Sequence, residues 1–183
     1  MATYKIDGTH SEVSFKVKHL MITNVTGNFT KFDGTMEASK DDFSDAVISF
    51  EADTASITTN NEQRDGHLKS DDFFSAEKFP KITFSSTELK KVNGEDYKLI
   101  GDLTIRDITK KVELNVEYGG STTDPYGQFK VGFEINGKIN RKDFELVWSA
   151  LTEAGSVMLG DEVKLAISVQ FIKKVKEAVL ETA

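Results

Sequence analysis

Phe129-Lys130-Val131-Gly132-Phe133-Glu134-Ile135-Asn136-Gly137-Lys138-Ile139-Asn140 and Val163-Lys164-Leu165-Ala166-Ile167-Ser168-Val169-Gln170-Phe171 decide the fold. Large apolar side chains return at every second residue: Phe129, Val131, Phe133, Ile135 and Ile139 in the first run, Val163, Leu165, Ile167, Val169 and Phe171 in the second. Successive side chains of a strand point to opposite faces, so this period is that of a strand with one dry side. The same code extends outward along the chain. Val13, Phe15, Val17 and His19 oppose Glu12, Ser14, Lys16 and Lys18, and Ile48, Phe50 and Ala52 alternate with polar or smaller neighbours. Ile82 and Phe84, then Tyr97, Leu99, Leu103 and Ile105, then Val112, Leu114, Val116 and Tyr118 do the same. Between the runs lie Asn93-Gly94-Glu95-Asp96, Gly119-Gly120 with Asp124-Pro125-Tyr126-Gly127, and Gly160-Asp161, turn chemistries that join antiparallel neighbours.

Eight or nine such strands must each hide an apolar face. Two short helices do not cover so large a sheet. The first is predicted at about 60–70, opened by the capping-box arrangement Thr59-Asn60-Asn61-Glu62. The second is a C-terminal tail, 173–183, with Val175, Ala178 and Val179 at helical spacing. The sheet therefore closes on itself, which also removes its exposed edges. The expected architecture is all-β: an antiparallel up-and-down barrel of about eight strands over residues 1–172, one short helix, and the helical tail. Residues 24–38 are less regular, because Phe29 and Phe32 are three apart; a bulge near Gly27 or Gly34 reconciles them.

The chain has 183 residues, with 23 Lys plus Arg against 30 Asp plus Glu and a formal charge of −7. An acidic balance disfavours a nucleic acid held through its phosphates. No apolar run reaches the roughly 18–20 residues of a membrane-spanning helix, and Met1 to Asp7 has no signal-peptide pattern. A cytoplasmic protein is expected from the sequence as written, and a periplasmic one if the true start lies upstream. There is no Cys, so disulfides and thiolate chemistry are excluded.

An eight-stranded barrel is either filled by its side chains or just wide enough for one small ligand. Inward Phe15, Phe29, Phe50, Phe84, Phe129, Phe133 and Phe171 suit both outcomes, and periodicity does not choose between them. Three histidines are the groups that titrate near neutrality. His19 falls on the apolar face, where it bonds a neighbour or meets a ligand. His10 lies in the turn after the first strand and is a candidate for a ligand head group or for a bond within the turn. Arg64 and His67 belong to the predicted helix; Arg64 either clamps an anionic head group bidentately or pairs with Glu62, Asp65 or Asp71. No HxH or HExxH spacing points to a metal, and no G-x-S-x-G elbow or P-loop is present.

Beyond periodicity, a series of blocks carries a resemblance. Tyr4-Lys5-Ile6-Asp7 with His10-Ser11-Glu12-Val13-Ser14-Phe15-Lys16-Val17-Lys18-His19 opens it. Gly27-Asn28-Phe29, Phe32-Asp33-Gly34, Ser56-Ile57-Thr58-Thr59 and Arg64-Asp65-Gly66-His67-Leu68-Lys69-Ser70-Asp71-Asp72-Phe73-Phe74 follow. Phe79-Pro80-Lys81-Ile82-Thr83-Phe84-Ser85-Ser86, Gly101-Asp102-Leu103-Thr104-Ile105-Arg106-Asp107-Ile108-Thr109-Lys110, Ile139-Asn140-Arg141-Lys142-Asp143-Phe144 and Gly160-Asp161-Glu162-Val163 complete it. Together they resemble the YceI-like family of lipocalin-like, polyisoprenoid-binding barrels, from residue 4 to about 172. The sequence departs from that pattern at Asp107 and Glu145, where Gly is expected.

The resemblance implies an isoprenoid chain lying in the barrel; with the apolar lining and weak catalytic signals, the expectation is a non-enzymatic protein that stores or transports such a lipid, of the polyprenyl phosphate or quinone type. With the inward faces set by the alternation, ligand contact is expected from Phe15, Val17, His19, Phe29, Phe50, Phe84, Leu99, Leu103, Val116, Phe133 and Ile167, with His10, Arg64 and His67 as head-group candidates. No catalytic residue, metal or cofactor other than the lipid ligand is expected. The alternatives are an enzyme acting on such a lipid with a His acid or base, and a packed-interior interaction module. The apolar stripe of the tail is expected to cover the barrel's open end or to pair two subunits as a homodimer.

Overall fold

The computed structural model describes residues 1–149 and 158–175. Among these residues eleven strands form one sheet: β1 (Ala2–Ile6), β2 (Glu12–His19), β3 (Thr23–Phe29), β4 (Phe32–Ala38), β5 (Val47–Asp53), β6 (Ile57–Thr58), β7 (Lys81–Asn93), β8 (Asp96–Ile105), β9 (Ile108–Thr123), β10 (Phe129–Asn140) and β11 (Leu159–Lys173). All pairings are antiparallel, and the sheet closes because β11 pairs with β10 on one side and with both β1 and β2 on the other.

The registers reduce these strands to eight staves. β1 and β2 lie end to end along β11, interrupted by a 3₁₀ turn at Gly8–His10. β3 and β4 lie end to end along β2 and β1, with Thr30 and Lys31 between them. β5 and β6 follow along β4 and β3 across a second 3₁₀ turn, Thr54–Ser56. The up-and-down barrel of eight staves is therefore the one the periodicity predicts. The irregularity at 24–38 is resolved at Thr30-Lys31 rather than by a bulge at Gly27 or Gly34. This break lets Phe29 and Phe32 both reach the core.

The three interruptions decide where the barrel opens. β5 pairs with β7, but β6 pairs only with β3. Helix α1 (Glu62–Lys69) and the segment after it occupy the place beside β6. The helix is shorter than the predicted 60–70, and its N-cap is Asn61, whose side chain accepts from the Arg64 N–H at 3.0 Å. Thr59 does not cap it: its hydroxyl donates instead to Asp65 Oδ1 at 2.5 Å.

The opposite end is shut. Phe43, 4% exposed, enters from the loop between β4 and β5 and packs on Tyr4, Tyr118 and Phe133, with Phe171 beside Phe133. Aromatic edges and faces meeting in this way add to plain area burial. The Tyr97 hydroxyl donates to the Asp42 carbonyl at 2.6 Å, and the Asp45 carboxylate accepts from the Ser39 and Lys40 N–H groups. These bonds fix the loop that carries the plug.

Arg141, 2% exposed, ties down a segment at the open end. Its guanidinium donates to the carbonyls of Leu146, Trp148 and Gly160 at 2.5, 2.7 and 2.8 Å, with Asp161 at 3.6 Å. A buried charge is tolerated when its donors are used in this way. Burial pulls the Arg141 pKa down and Asp161 opposes the shift. The expected helical tail does not begin at 173: Lys173 ends β11 opposite Tyr4, and the Lys174 N–H donates to the Thr3 carbonyl. Ala178 and Val179, with the rest of 176–183, lie outside the described residues. Among the described residues no helix is long and apolar enough to cross a membrane.

Both departures from the family pattern fall on left-handed backbone. Asp107 (φ 60°) is the second residue of the two-residue turn joining β8 to β9, and Glu145 (φ 59°) ends a 3₁₀ turn. Glycine adopts this region at no steric cost, whereas other residues lose about 1–2 kcal/mol. Glu145→Gly is therefore expected to stabilise the fold by about 1 kcal/mol, a rise of about 2–4 °C in Tm by calorimetry.

The backbone donors of Ser39 and Lys40 hold the Asp45 carboxyl below its ordinary pKa. A depressed carboxylate pKa stabilises above the unfolded value, near 4, and that contribution is lost as pH falls through the folded one. Hydrogen-exchange protection factors across residues 39–46, corrected for the intrinsic pH dependence of exchange, should fall on acidification in the native protein, and this acid-dependent step should be absent in Asp45→Asn.

Candidate functional site

A cavity of about 350 Å³ lies inside the barrel, within the range of about 300–1,000 Å³ common for small-molecule sites. Its lining runs from Ile6, Phe133 and Phe171 near the plugged end to Arg64, His67 and Trp148 at the other. Phe15, Val17, His19, Phe29, Phe50, Phe84, Leu99, Leu103, Val116 and Ile167 all line it. The alternation thus brings these side chains together from β2, β3, β5, β7, β8, β9 and β11.

The phenylalanines do not fill the tube, and the reason is local. Phe15 pairs across the strands with Gly27, and a Cβ built on Gly27 would lie 2.3 Å from Phe15 Cζ. The ring therefore lies flat on the glycine backbone instead of standing in the lumen. Phe84 covers Gly101 in the same way, where a Cβ would come 2.5 Å from Phe84 Cζ, and Leu114 covers Gly137 at 2.4 Å. Phe50 sits more loosely over its partner Gly34. Aromatic rings over cross-strand glycines are a known stabilising device of curved sheets. Phe133 and Phe171 belong to the aromatic plug, with Phe129 against Tyr4. The interior is thus packed at one end and hollow along the rest.

Polar groups gather at the open end. The Arg64 Nε donates to the Thr59 hydroxyl and its Nη2 to the Thr59 carbonyl, both at 2.7 Å. Neither Glu62, Asp65 nor Asp71 pairs with it: Asp65 accepts from Thr59, and Asp71 accepts from the Ser75 hydroxyl at 2.6 Å and pairs with Lys78. Arg64 is exposed at the mouth, so its charge stands where a ligand's end would sit. The His67 Nε2 lies 2.9 Å from Asp72 Oδ2, and its ring meets Trp148 and Phe73 edge-on at 4.9 and 5.1 Å between centroids. His19 ends β2 on the cavity side.

His10 is placed elsewhere. Its Nδ1 lies 2.8 Å from Asp7 Oδ2 in the 3₁₀ turn, and it borders an outer-surface depression with Gly120, Lys130 and Gln170. Burial raises the Asp7 pKa, but the bonds from His10 and Thr9 and the charge of Lys130 outweigh it and lower the pKa overall. Trp148, Phe73, Phe74 and Arg141 line the mouth without having been singled out from the sequence. The lone tryptophan of the chain, in the apolar run Phe144-Glu145-Leu146-Val147-Trp148 between two strands, is the signal that would have found that segment.

With this geometry, comparisons with known proteins are informative. The UPF0312 protein SA2479 of Staphylococcus aureus is 40% identical over 172 residues, covering 93% of this chain and 98% of the relative. The crystal structure of the Campylobacter jejuni YCEI protein superposes with a TM-score of 0.73 at 37% identity, over 86% of this chain and 90% of that one. Burkholderia cenocepacia BcnA shares the fold at TM-score 0.79 and 21% identity, over 90% of this chain and 98% of its own. A polyisoprenoid binding domain from Saccharophagus degradans shares it at TM-score 0.68 and 16% identity, over 93% and 98%. The family model described as the YceI-like domain matches residues 4–171, so the chain belongs to the YceI-like family.

Proposed function

We propose that the protein binds an apolar isoprenoid lipid in its lumen and stores or transports it without chemical change. The observation that carries this reading is the hollow apolar tube, plugged by Phe43 at one end and polar only at the other. An elongated hydrocarbon gains roughly 25 cal/mol for each Å² it removes from water. A polar head is excluded from such a lumen by the cost of desolvation. The head therefore stays at the mouth, beside Arg64 and His67. Arg64 has its Nε and one Nη2 engaged by Thr59, and its positive charge suits a phosphate-bearing head; a quinone head would use the same mouth through its carbonyl oxygens. Membership of the YceI-like family, and a fold shared with a polyisoprenoid binding domain, support the reading.

Native mass spectrometry of gently purified protein, followed by organic extraction, tests it directly: a stoichiometric isoprenoid is expected. Turnover of an added polyprenyl phosphate, or an apo protein that takes up none, would overturn it. The hollow lumen gives a second test. Gly27→Ala must swing the Phe15 ring into the cavity, so lipid affinity, followed through Trp148 fluorescence, is expected to fall by about tenfold while the barrel stays folded. Adding Phe15→Ala removes the ring and should restore binding, a coupling that a merely destabilised barrel does not give.

A further inference from the structure

The tip of the β2–β3 hairpin is apolar, strained and exposed, and it stands at the rim of the cavity. Leu20 and Met21 hold left-handed backbone (φ 54° and 61°), a turn geometry that Asn and Gly adopt more readily. Met21 is 54% exposed, so it does not repay that strain by packing into the core; Ile22 beside it is 79% exposed, and Leu20 is half-buried. Strain retained at an exposed, bulky apolar residue, with a second apolar side chain in water beside it, calls for a role outside the fold. The tip is continuous with the site: Leu20 N–H donates to the Met158 carbonyl at 2.8 Å, and His19, Val25 and Met158 line the cavity.

Charge along the hairpin runs against the rest of the molecule, and the nearest carboxylates of β11, Asp161 and Glu162, are already paired with Arg141, Lys142 and Lys138. In a chain with 30 Asp plus Glu and a net −7, no carboxylate occurs between Glu12 and Asp33. The hairpin instead carries Lys16 and Lys18, both exposed, and Lys164 of β11 lies opposite Lys16. None of these three lysines forms an ion pair among the described residues.

We infer that this hairpin docks the mouth of the barrel onto an anionic lipid bilayer, Met21 and Ile22 entering the interface while Lys16, Lys18 and Lys164 face the head groups. A shallow apolar insertion combined with basic side chains is the usual composition of a reversible peripheral contact. The arrangement brings the open end against the phase in which an apolar lipid is dissolved. The lipid then passes between bilayer and lumen with little exposure to water. The purpose rests on the lipid-binding reading of the cavity; the docking itself does not.

Flotation of the full chain with phosphatidylcholine vesicles, with and without about one quarter phosphatidylglycerol, tests the inference. The protein is expected to float with the anionic vesicles, to do so much less with phosphatidylcholine alone, and to be released by about 0.5 M salt. Met21→Glu with Ile22→Glu is expected to reduce the floated fraction about tenfold, Ile22→Ser to reduce it less, and Lys16→Glu with Lys18→Glu to remove the dependence on phosphatidylglycerol.

Binding of the uncharged fluorophore N-phenyl-1-naphthylamine in solution is measured in parallel and should be the same in every variant. Wild-type protein that binds the fluorophore but does not float overturns the docking and leaves the cavity reading intact. Protein that floats but binds no fluorophore overturns the cavity reading alone. Tip substitutions that change molar mass by light scattering, and not flotation, would make the hairpin a contact between copies and overturn the bilayer assignment.

Discussion

Closure of the sheet on β11 is the constraint on which everything else rests. Each stave is apolar on one side, and an open sheet of this length would leave both that face and two rows of unpaired backbone groups exposed. β11 solves both problems: it holds β10 along its whole length and divides its other edge between β1 and β2. That division needs a break in the facing stave, the Gly8–His10 turn, and the neighbouring staves break beside it at Thr30-Lys31 and Thr54–Ser56. The last of these breaks leaves β6 unpaired on one side, where α1 stands. The opening of the barrel is thus a consequence of how its seam is closed.

Once closed, a barrel of this size stands at the boundary between a filled and a hollow interior. Residue size alone does not place it on one side, because a phenylalanine occupies the lumen only if its ring points along the radius. Glycines opposite Phe15 and Phe50, and Gly101 beneath Phe84, let those rings lie along the wall. At the other end the loop between β4 and β5 delivers Phe43 into a cluster with Tyr4, Tyr118 and Phe133. One set of aromatic side chains therefore seals the tube and another widens it, and the difference lies in what faces each ring.

The open end concentrates the polar chemistry for a related reason. Arg64 is held by Thr59, itself bonded to Asp65, so a network of short polar contacts orients the guanidinium at the rim. Arg141 performs a different task from a buried position, gathering carbonyls from two chain segments that would otherwise be unsatisfied. The two arginines show why residue type does not define a role here: one presents its charge at the mouth, and the other uses its hydrogen bonds to build the mouth.

The sequence by itself determined the strands, their inward faces and the closed antiparallel topology. A period of two is a local property: Val13, Phe15 and Val17 share a side whatever they meet. It also carried the family blocks and, at Asp107 and Glu145, two of the positions where the backbone prefers glycine. Tertiary structure decided what the faces enclose. Whether Phe15 fills the lumen depends on Gly27, twelve residues away in the chain and directly opposite in space, a pairing that only the register creates. Phe43 reads as a lone aromatic in the polar stretch Ser39-Lys40-Asp41-Asp42-Phe43-Ser44-Asp45 until the loop folds it over the barrel end. In the sequence His10 and Arg141 are each a polar residue just outside an alternating run. One lies on an outer turn and the other within the wall of the mouth, because burial is set by neighbours from distant strands and not by the residues beside them in the chain.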